Sequence, residues 1–466
     1  MFPTIDLNAS DRFWGPTGSI PTLDNDPDLE FTVSVLKADK TIDMKEIYSK
    51  YKPAEGNKGF RTVGEVDFKQ QHNNRRRFTN QRNNNRRNYR GYKRLQQNPD
   101  LLEPTVTIEE GWSEEINFSI PTLKKIRKGY TVESDTLATF GSLNAYDRRI
   151  ANSNPSVPQD QFFATSTASE DSIMRQLAKE HDCDIAITET VCSRLATLTR
   201  AYFGFDIVFR WIDGCLFIDK RNDKFDRVYV DETAGDLAFP DKSPNQPFEL
   251  TEEMTRVKHG VKTVVAPENP VYEEEPHPEL VSHGQTLYRI FNVKDKEGDK
   301  TYRILIRCSI DCMRKTTSKE HTVKVCTLLE WNKVRTNWKR AFSIDSKREG
   351  AKGIAFGENR VTVAQWCIEA LLTELTMLSV GFISRENSSN NNKHKVLLFE
   401  DFQTAAFCRR FAINHDRLWT DFFALVEPIM SLERPDENSC FILIKPPTKG
   451  TANLWMNPSG EFATEE

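Results

Sequence analysis

The sequence lacks the features that would take a chain into or across a membrane. No apolar run approaches the roughly 18 residues that a bilayer-spanning helix requires. The first residues, MFPTID, have neither the basic nor the apolar region of a signal peptide. The net charge is only −4, from 64 basic and 68 acidic residues, which excludes a uniformly basic nucleic-acid coat. We therefore expect a cytoplasmic protein whose phosphate-binding surface, if it has one, is local.

Paired cysteines and catalytic motifs are missing as well. The nine cysteines form no CxxC pair, and although Cys308 and Cys312 are four residues apart, no histidine nearby completes a zinc site. No histidine stands in a pattern with a motif-bearing serine or cysteine. We therefore predict reduced, buried thiols, no metal site, no cofactor and no catalytic residue.

The distribution of apolar residues divides the chain into an arm, a folded domain and a tail. Only 38% of the 466 residues are hydrophobic and 28% are charged, which indicates that part of the chain is extended. Residues 1–125 carry isolated aromatics in polar sequence and are predicted to form an extended, largely irregular N-terminal arm. Residues 160–456 are predicted to form the domain, with a proline-rich insertion at 240–282 that lies outside the core. Residues 457–466 are predicted to be a short polar tail.

Within the domain, short apolar runs outnumber helical patterns. Apolar spacing predicts helices at 188–201, 361–378 and within 402–430. Alternating or continuous apolar runs predict strands at 205–210, 215–218, 227–230, 286–293, 302–308, 322–328, 380–384, 395–399 and 440–445. Because the predicted helices and strands do not alternate regularly along the chain, we predict an α+β fold with a mixed or antiparallel sheet core and flanking helices.

The arm contains one strongly basic segment, residues 69–94, with no acidic residue between positions 68 and 99. Arginine forks match phosphate oxygens, and the interleaved aromatics are suited to stacking on unpaired bases. The segment is therefore predicted to contact RNA, with a nuclear import signal or an acidic protein partner as alternatives. The arginines expected to do so are Arg75, Arg76, Arg77, Arg82, Arg86, Arg87, Arg90 and Arg94.

Several stretches occur in an order that is diagnostic only when they are taken together: WGP at 14–16, QRN at 81–83, 112–127, QLAK at 176–179, LATLTRAYFGFD at 195–206, FIDKR at 217–221, ETA at 232–234, LIRC at 305–308, LEW at 329–331 and VGFISR at 380–385. In these stretches the chain resembles the family of cap-binding subunits of eukaryotic translation initiation factor 3. The resemblance extends over almost the whole length of the chain. It implies a domain with the fold of the decapping exonucleases that binds the mRNA 5′ cap. It also implies that the arm contacts other subunits of the factor, the small (40S) ribosomal subunit and the mRNA or rRNA backbone.

The nuclease pattern implied by that fold is altered here. Its Glu-x-Asp becomes Ser309-Ile310-Asp311, its Glu-x-Lys becomes Lys324-Val325-Cys326, and a third carboxylate position is Phe291. Because paired magnesium ions require several carboxylates, we predict that the chain is not an enzyme.

The resemblance also implies a cap site and a gate. By position, Glu189, Tyr202 and Phe203 would contact the cap, unless the two aromatics are ordinary core residues. Tyr272 and the acidic residues Glu273, Glu274 and Glu275 fall where a gate loop would cover the site, unless they form a simple solvated loop. The leading hypothesis is a subunit that binds RNA and the mRNA 5′ cap. The alternatives are a ribosome-anchoring subunit with a vestigial pocket and, disfavoured, an active decapping 5′-exonuclease.

Overall fold

The computed structural model describes residues 106–462, except 148, 150–154, 156–164, 231–242, 268–269, 281–283, 299, 318, 334–335 and 448–449. The eight arginines of the basic segment lie outside the described residues, so their predicted role stays a prediction. The strands, in chain order, are β1 Ser113–Ser119, β2 Tyr130–Phe140, β3 Ser142–Asn144, β4 Ile185–Thr188, β5 Phe205–Ile212, β6 Cys215–Lys220, β7 Pro270–Glu273, β8 Gln285–Asp295, β9 Thr301–Ile310, β10 Cys312–Lys315, β11 Glu320–Glu330, β12 Met377–Arg385, β13 His394–Gln403, β14 Cys440–Lys445 and β15 Thr451–Asn457.

The α-helices of the described residues are α1 Ile120–Leu123, α2 Ser172–Glu180, α3 Glu189–Ala196, α4 Pro247–Val265, α5 Trp338–Phe342, α6 Asp345–Glu358, α7 Arg360–Leu372, α8 Thr404–Arg410 and α9 His415–Met430. Local sequence accounts for several of their ends. The Thr188 side chain accepts a hydrogen bond from the Val191 amide and caps α3, as its position before an apolar helical pattern predicts. Asp213 and Gly214, both with positive φ, form the predicted hairpin turn between β5 and β6.

Two mixed sheets form the frame of the domain. The larger has the order β1-β15-β14-β5-β6-β4-β9-β8-β2, and the smaller has the order β10-β11-β12-β13. In the large sheet β4 runs parallel to both β6 and β9, whereas the other neighbours are antiparallel. In the small sheet β11 and β12 are parallel. The predicted α+β class with a mixed sheet core is confirmed.

One apolar core connects the sheets. It contains buried side chains of β4, β5, β6 and β9 from the large sheet, of β11 and β12 from the small sheet, and of α3, α7 and α9. The chain passes from one sheet to the other at Asp311, between β9 and β10. All nine cysteines are free and buried, as predicted, and burial raises the pKa of the Cys183 thiol to about 11. Among the described residues, no helix combines the length and the apolar character needed to cross a bilayer.

The domain begins earlier than residue 160 and takes in the end of the predicted arm. Strand β1 pairs with β15, and β2 pairs with β8, so both belong to the large sheet. Phe118, Ile120 and Leu123 are buried in the core. These apolar residues stand isolated in the sequence because β1 is an edge strand with mostly exposed side chains and α1 is a single helical turn. The tail is also partly packed, since the ring of Phe462 contacts that of Trp112.

The predicted insertion at 240–282 contains a long core helix, which corrects the expectation that it lies outside the core. Helix α4 buries Leu250, Met254, Val257 and Val261 against the small sheet. These residues recur every three or four positions, which is the period of an α-helix. Pro247 stands in the first turn, where proline starts a helix without breaking it, so the proline count of the segment obscured the pattern.

Candidate functional site

A buried group of charged side chains lies where the two sheets meet. We call it the lysine–carboxylate cluster, and it consists of Glu189, Lys258, Lys262, Asp311, Lys324 and Glu369. The Lys324 ammonium lies 2.9 Å from Glu369 Oε2 and 3.5 Å from Glu189 Oε1. Lys262 Nζ lies 2.5 Å from Asp311 Oδ1. Lys324 is 4% exposed and Glu369 is 8% exposed, so these charges are removed from solvent.

The members of the cluster come from distant parts of the chain. Glu189 is the first residue of α3, Lys324 lies on β11, Glu369 is on α7, and the two other lysines are on α4. Asp311 stands at the junction of β9 and β10, and its Oδ2 also accepts a hydrogen bond from the Val325 amide at 2.7 Å. The cluster therefore forms only when both sheets and three helices have packed together.

Hydroxyl groups satisfy the remaining carboxylate oxygens. Ser309 donates to Glu189 Oε1 at 2.5 Å, and Thr373 donates to Glu189 Oε2 at 3.0 Å. Ser193 donates to Glu369 Oε1 at 3.0 Å. The carboxylates of the cluster are thus held by protein donors, as buried charges require.

The directions of the pKa shifts show that the oppositely charged groups of the cluster stabilise one another's ionised forms. Burial acts to lower the pKa of Lys324, but Glu189, Glu369 and Asp311 together raise it well above its ordinary value. Burial acts to raise the pKa of Glu369, but Lys324 and Lys258 lower it. The pKa of Asp311 is lowered in the same way by Lys262 and Lys324, against the effect of burial. Glu369 and Asp311 are therefore ionised and Lys324 is protonated at neutral pH.

The charges of the lysine–carboxylate cluster do not favour the binding of a divalent cation. Glu369 and Asp311 already have cationic partners in Lys324 and Lys262, whereas burial lowers the pKa of the third lysine, Lys258. The Lys324 ammonium also occupies the space between Glu189 and Glu369 that a bridging metal would need. Ser309, predicted to replace a carboxylate, donates a hydrogen bond to Glu189 and, as a neutral hydroxyl, is not an anionic ligand.

Sequence reasoning missed Glu369 and the two lysines of α4. Glu369 is the one acidic residue in the otherwise largely apolar α7, RVTVAQWCIEALL. A lone carboxylate in a helix of this kind needs a buried partner, and that was the signal available. The lysines could not be found because the prolines around them predict a loop in place of α4.

The three predicted cap residues have different surroundings. Glu189 is 7% exposed and belongs to the lysine–carboxylate cluster. Phe203 is 1% exposed, and its ring stacks on that of Tyr229 with the centroids 3.8 Å apart. The Arg194 guanidinium lies 5.3 Å from the Phe203 ring centroid and 4.9 Å from that of Tyr229, beside the stacked pair. Because it is almost fully buried, Phe203 is in this conformation a core residue that a base cannot reach. Tyr202 is half-buried, with the Arg360 guanidinium 4.4 Å from its ring centroid.

Two of the four predicted gate residues lie on a small two-stranded sheet, and Glu274 and Glu275 directly follow it. Strand β7, which contains Tyr272 and Glu273, pairs with β3. The Tyr272 hydroxyl donates to Glu320 Oε2 at 2.7 Å, and Lys315 Nζ lies 4.9 Å from the Tyr272 ring centroid. Glu273, Glu274 and Glu275 are exposed. In this conformation the acidic residues face solvent and do not enter a cavity.

The family of the chain is shown by comparison with known proteins. The model of the family described as eukaryotic translation initiation factor 3 subunit 7 (eIF-3) matches residues 5–456. The chain belongs to this family. The resemblance stated from the sequence is thereby confirmed, and with it the assignment to translation initiation.

Curated relatives from this initiation factor family agree. The D subunit of eukaryotic translation initiation factor 3 from Nematostella vectensis is 26% identical over 377 residues, covering 78% of this chain and 66% of that protein. The corresponding D subunit from Nasonia vitripennis is 24% identical over 393 residues, covering 81% of this chain and 69% of that protein. The chain thus spans about two thirds of the length of these relatives.

Solved structures with a similar backbone include Rai1 from Candida albicans in complex with pU5 and Mn²⁺. That structure is 13% identical to this initiation factor family member, with a TM-score of 0.47, and the match covers 74% of this chain and 94% of Rai1. Dxo1 from K. lactis in complex with manganese is 8% identical with a TM-score of 0.41, covering 76% of this chain and all of Dxo1.

Proposed function

We propose that the chain is a subunit of the translation initiation factor 3 assembly that acts in the cytoplasm, on the small (40S) ribosomal subunit, and binds RNA without catalysing a reaction on it. The observation that supports this most directly is the family match over residues 5–456. The test is reconstitution of the purified chain with the other subunits of the factor, followed by gradient sedimentation with and without 40S subunits. Co-migration with both is expected, and a chain that stays at the top of both gradients would overturn the proposal.

RNA contact by the arm is the second part of the proposal. Substituting Arg75, Arg76, Arg77, Arg86 and Arg87 by alanine removes five phosphate-binding cations. Because each phosphate contact contributes roughly 0.7 to the salt slope for a single strand, the slope of log affinity against log salt should fall by about 3.5. Five exposed cations of the domain form the matched control: Lys125, Lys179, Lys339, Arg340 and Lys347. Equal slopes for the two variants would contradict the assignment.

The position of the Lys324 ammonium supports the proposal that the chain does not catalyse RNA cleavage. An ammonium between the two glutamates opposes the binding of a metal ion by Coulomb repulsion, and a nuclease of this pattern would need that ion. Purified protein incubated with 5′-labelled RNA and either Mg²⁺ or Mn²⁺ should release no 5′ nucleotide above the level of a metal-free control. Metal-dependent release would contradict the proposal, provided that it co-purifies with the chain.

Cap binding is proposed with Tyr202 as the base-contacting residue. Of the three residues suggested by sequence, only Tyr202 has a partly exposed ring and lies outside the buried core. Crosslinking to capped RNA should be reduced by free cap analogue and by Tyr202→Ala, whereas Tyr202→Phe should keep it. A gate role for Glu273, Glu274 and Glu275 predicts stronger crosslinking when all three are changed to glutamine.

The burial of Phe203 and the occupied carboxylate of Glu189 favour a second candidate, a ribosome-anchoring subunit whose cap pocket is vestigial. The same crosslinking separates the two. If free cap analogue leaves crosslinking unchanged while 40S co-sedimentation persists, the anchoring function stands and cap binding does not.

A further inference from the structure

A basic cavity lies away from the lysine–carboxylate cluster, between α1, the loop before β2 and the start of α9. Its volume is about 650 Å³, within the range of roughly 300–1,000 Å³ that is usual for ligand sites. We call it the basic cavity, and it is lined by Lys124, Arg127, Lys128, Gly129, Arg200, Ala412, Asn414, Asp416, Arg417 and Thr420. Five of these residues are cations and one is an anion.

Two of the five cations are already neutralised by protein carboxylates. Lys128 Nζ lies 2.9 Å from Asp295 Oδ2 and is also bonded to Glu427. Arg417 forms an ion pair with Asp421 through two of its nitrogens. The single lining carboxylate, Asp416, is paired with Lys296 from outside the cavity. Because these ion pairs neutralise Lys128, Arg417 and Asp416, the net positive charge of the cavity comes from the other three cations.

Lys124, Arg127 and Arg200 have no carboxylate partner among the described residues. Within the described residues, the Arg127 guanidinium donates only to the carbonyl oxygens of Lys124 and Ile126. The guanidinium of Arg200 forms no hydrogen bond or ion pair within the described part of the chain, although the residue is only partly exposed. Burial accordingly lowers the pKa of Arg200, with Asp421 acting in the opposite direction. A partly exposed guanidinium without a protein partner remains available to an anionic ligand.

An arginine–aromatic pair lies two residues after Arg200 in the chain, although it does not line the cavity itself. The Arg360 guanidinium lies 4.4 Å from the centroid of the half-buried Tyr202 ring. Arginine–aromatic pairs of this kind offer a face on which a nucleobase can stack. An acidic peptide would make use of the cations but not of this surface.

We propose that the basic cavity binds the phosphates of single-stranded RNA through Lys124, Arg127 and Arg200. This inference rests on the proposed RNA-handling function and adds to it a contact inside the folded domain, separate from the arm at residues 69–94. Guanidinium forks bind two phosphate oxygens at once, and three cations converging on one concavity suit a chain of successive phosphates. The site requires neither a metal ion nor the cap.

The test measures binding of a labelled, uncapped single-stranded RNA to the full chain over a series of salt concentrations. Removing all three cations with Lys124→Ala, Arg127→Ala and Arg200→Ala should reduce the salt slope by about 2 and weaken affinity by up to roughly 50-fold near 0.15 M salt. Because Arg200 is partly buried, the double variant at the two exposed positions, Lys124 and Arg127, provides a second measurement. It should reduce the slope by about 1.4 without affecting the fold.

The matched control changes three exposed cations that do not line the cavity, Lys125→Ala, Lys339→Ala and Arg340→Ala, and should keep the wild-type slope. Wild-type slopes for both cavity variants would overturn the inference. If the arm variant loses RNA binding while the cavity variants keep it, the cavity assignment fails and the proposed function survives; if the wild type binds no RNA, both fail. Displacement of the RNA by an acidic peptide as effective as unlabelled RNA would also overturn the inference, because it would assign the cavity to a protein partner.

Discussion

Replacing Lys324 by methionine is the sharpest test of the lysine–carboxylate cluster. Methionine keeps the length and the apolar stem of lysine but removes the ammonium that contacts Glu369 at 2.9 Å and Glu189 at 3.5 Å. Two buried carboxylates then lose their common cation. Breaking a buried ion pair on one side costs about 3–5 kcal/mol because the remaining charge is left uncompensated. We expect a loss of that size in the free energy of unfolding at pH 7.5.

The loss of unfolding free energy caused by Lys324→Met should become smaller as the pH falls. With Lys324 present, the folded-state pKa of Glu369 lies below 4.5, so its contribution to stability is present above 4.5 and is lost as the pH falls through the folded-state value. Without Lys324, burial is expected to raise that pKa above 4.5. The carboxyl group of the variant then takes up a proton as the pH decreases towards 4.5, and the difference in stability between wild type and variant becomes smaller.

The assay is guanidinium unfolding followed by tryptophan fluorescence at pH 7.5 and pH 4.5. Lys315→Met is the matched control, because Lys315 pairs with Glu320 at 3.0 Å but both side chains are nearly half exposed. Exposed pairs of this kind contribute little to stability. The double variant Lys324→Met/Glu369→Gln should recover part of the loss, since the amide carries no charge. A loss for Lys324→Met no larger than that for Lys315→Met, or an equal loss at both pH values, would refute the neutralisation of Glu369 by Lys324.

Three further predictions follow from single sites. Burial lowers the pKa of His277, and its Nδ1 accepts hydrogen bonds from the backbone amides of residues 279 and 280. The stabilising contribution of the neutral imidazole should therefore be complete above pH 6.5 and decrease as the pH falls below that value. His277→Gln should flatten the profile of unfolding free energy against pH. Gly284→Ala should cost about 1–3 kcal/mol in denaturant unfolding, because φ is +121° and the added Cβ would collide with the carbonyl oxygen of Ile310, whereas Gly350→Ala in open helix α6 should be neutral or stabilising. Glu253→Gln leaves the buried Arg385 guanidinium without its carboxylate and should cost about 3–5 kcal/mol by the same measurement.

Local sequence was sufficient for most elements of the domain. The alternation at 302–308 and the apolar run at 286–293 became β9 and β8, and the hairpin turn at Asp213 and Gly214 formed as predicted. These elements can be predicted because their period and turn chemistry are contained in a few consecutive residues. Helix α4 was missed because its proline-rich flanks outweighed a correct apolar period at 250–261.

The sequence by itself determined the family, the α+β class and the loss of the carboxylate pattern at Ser309 and Lys324, because each is expressed in residue order and type. Only the tertiary structure decided what replaces that pattern. Glu189, Lys324 and Glu369 come from α3, β11 and α7, and their mutual neutralisation exists only after the two sheets have packed. The same holds for the basic cavity, where Lys124 and Arg200 stand 76 positions apart in the chain and meet only through the fold. Charge balance depends on distance in space, and sequence order does not give that distance.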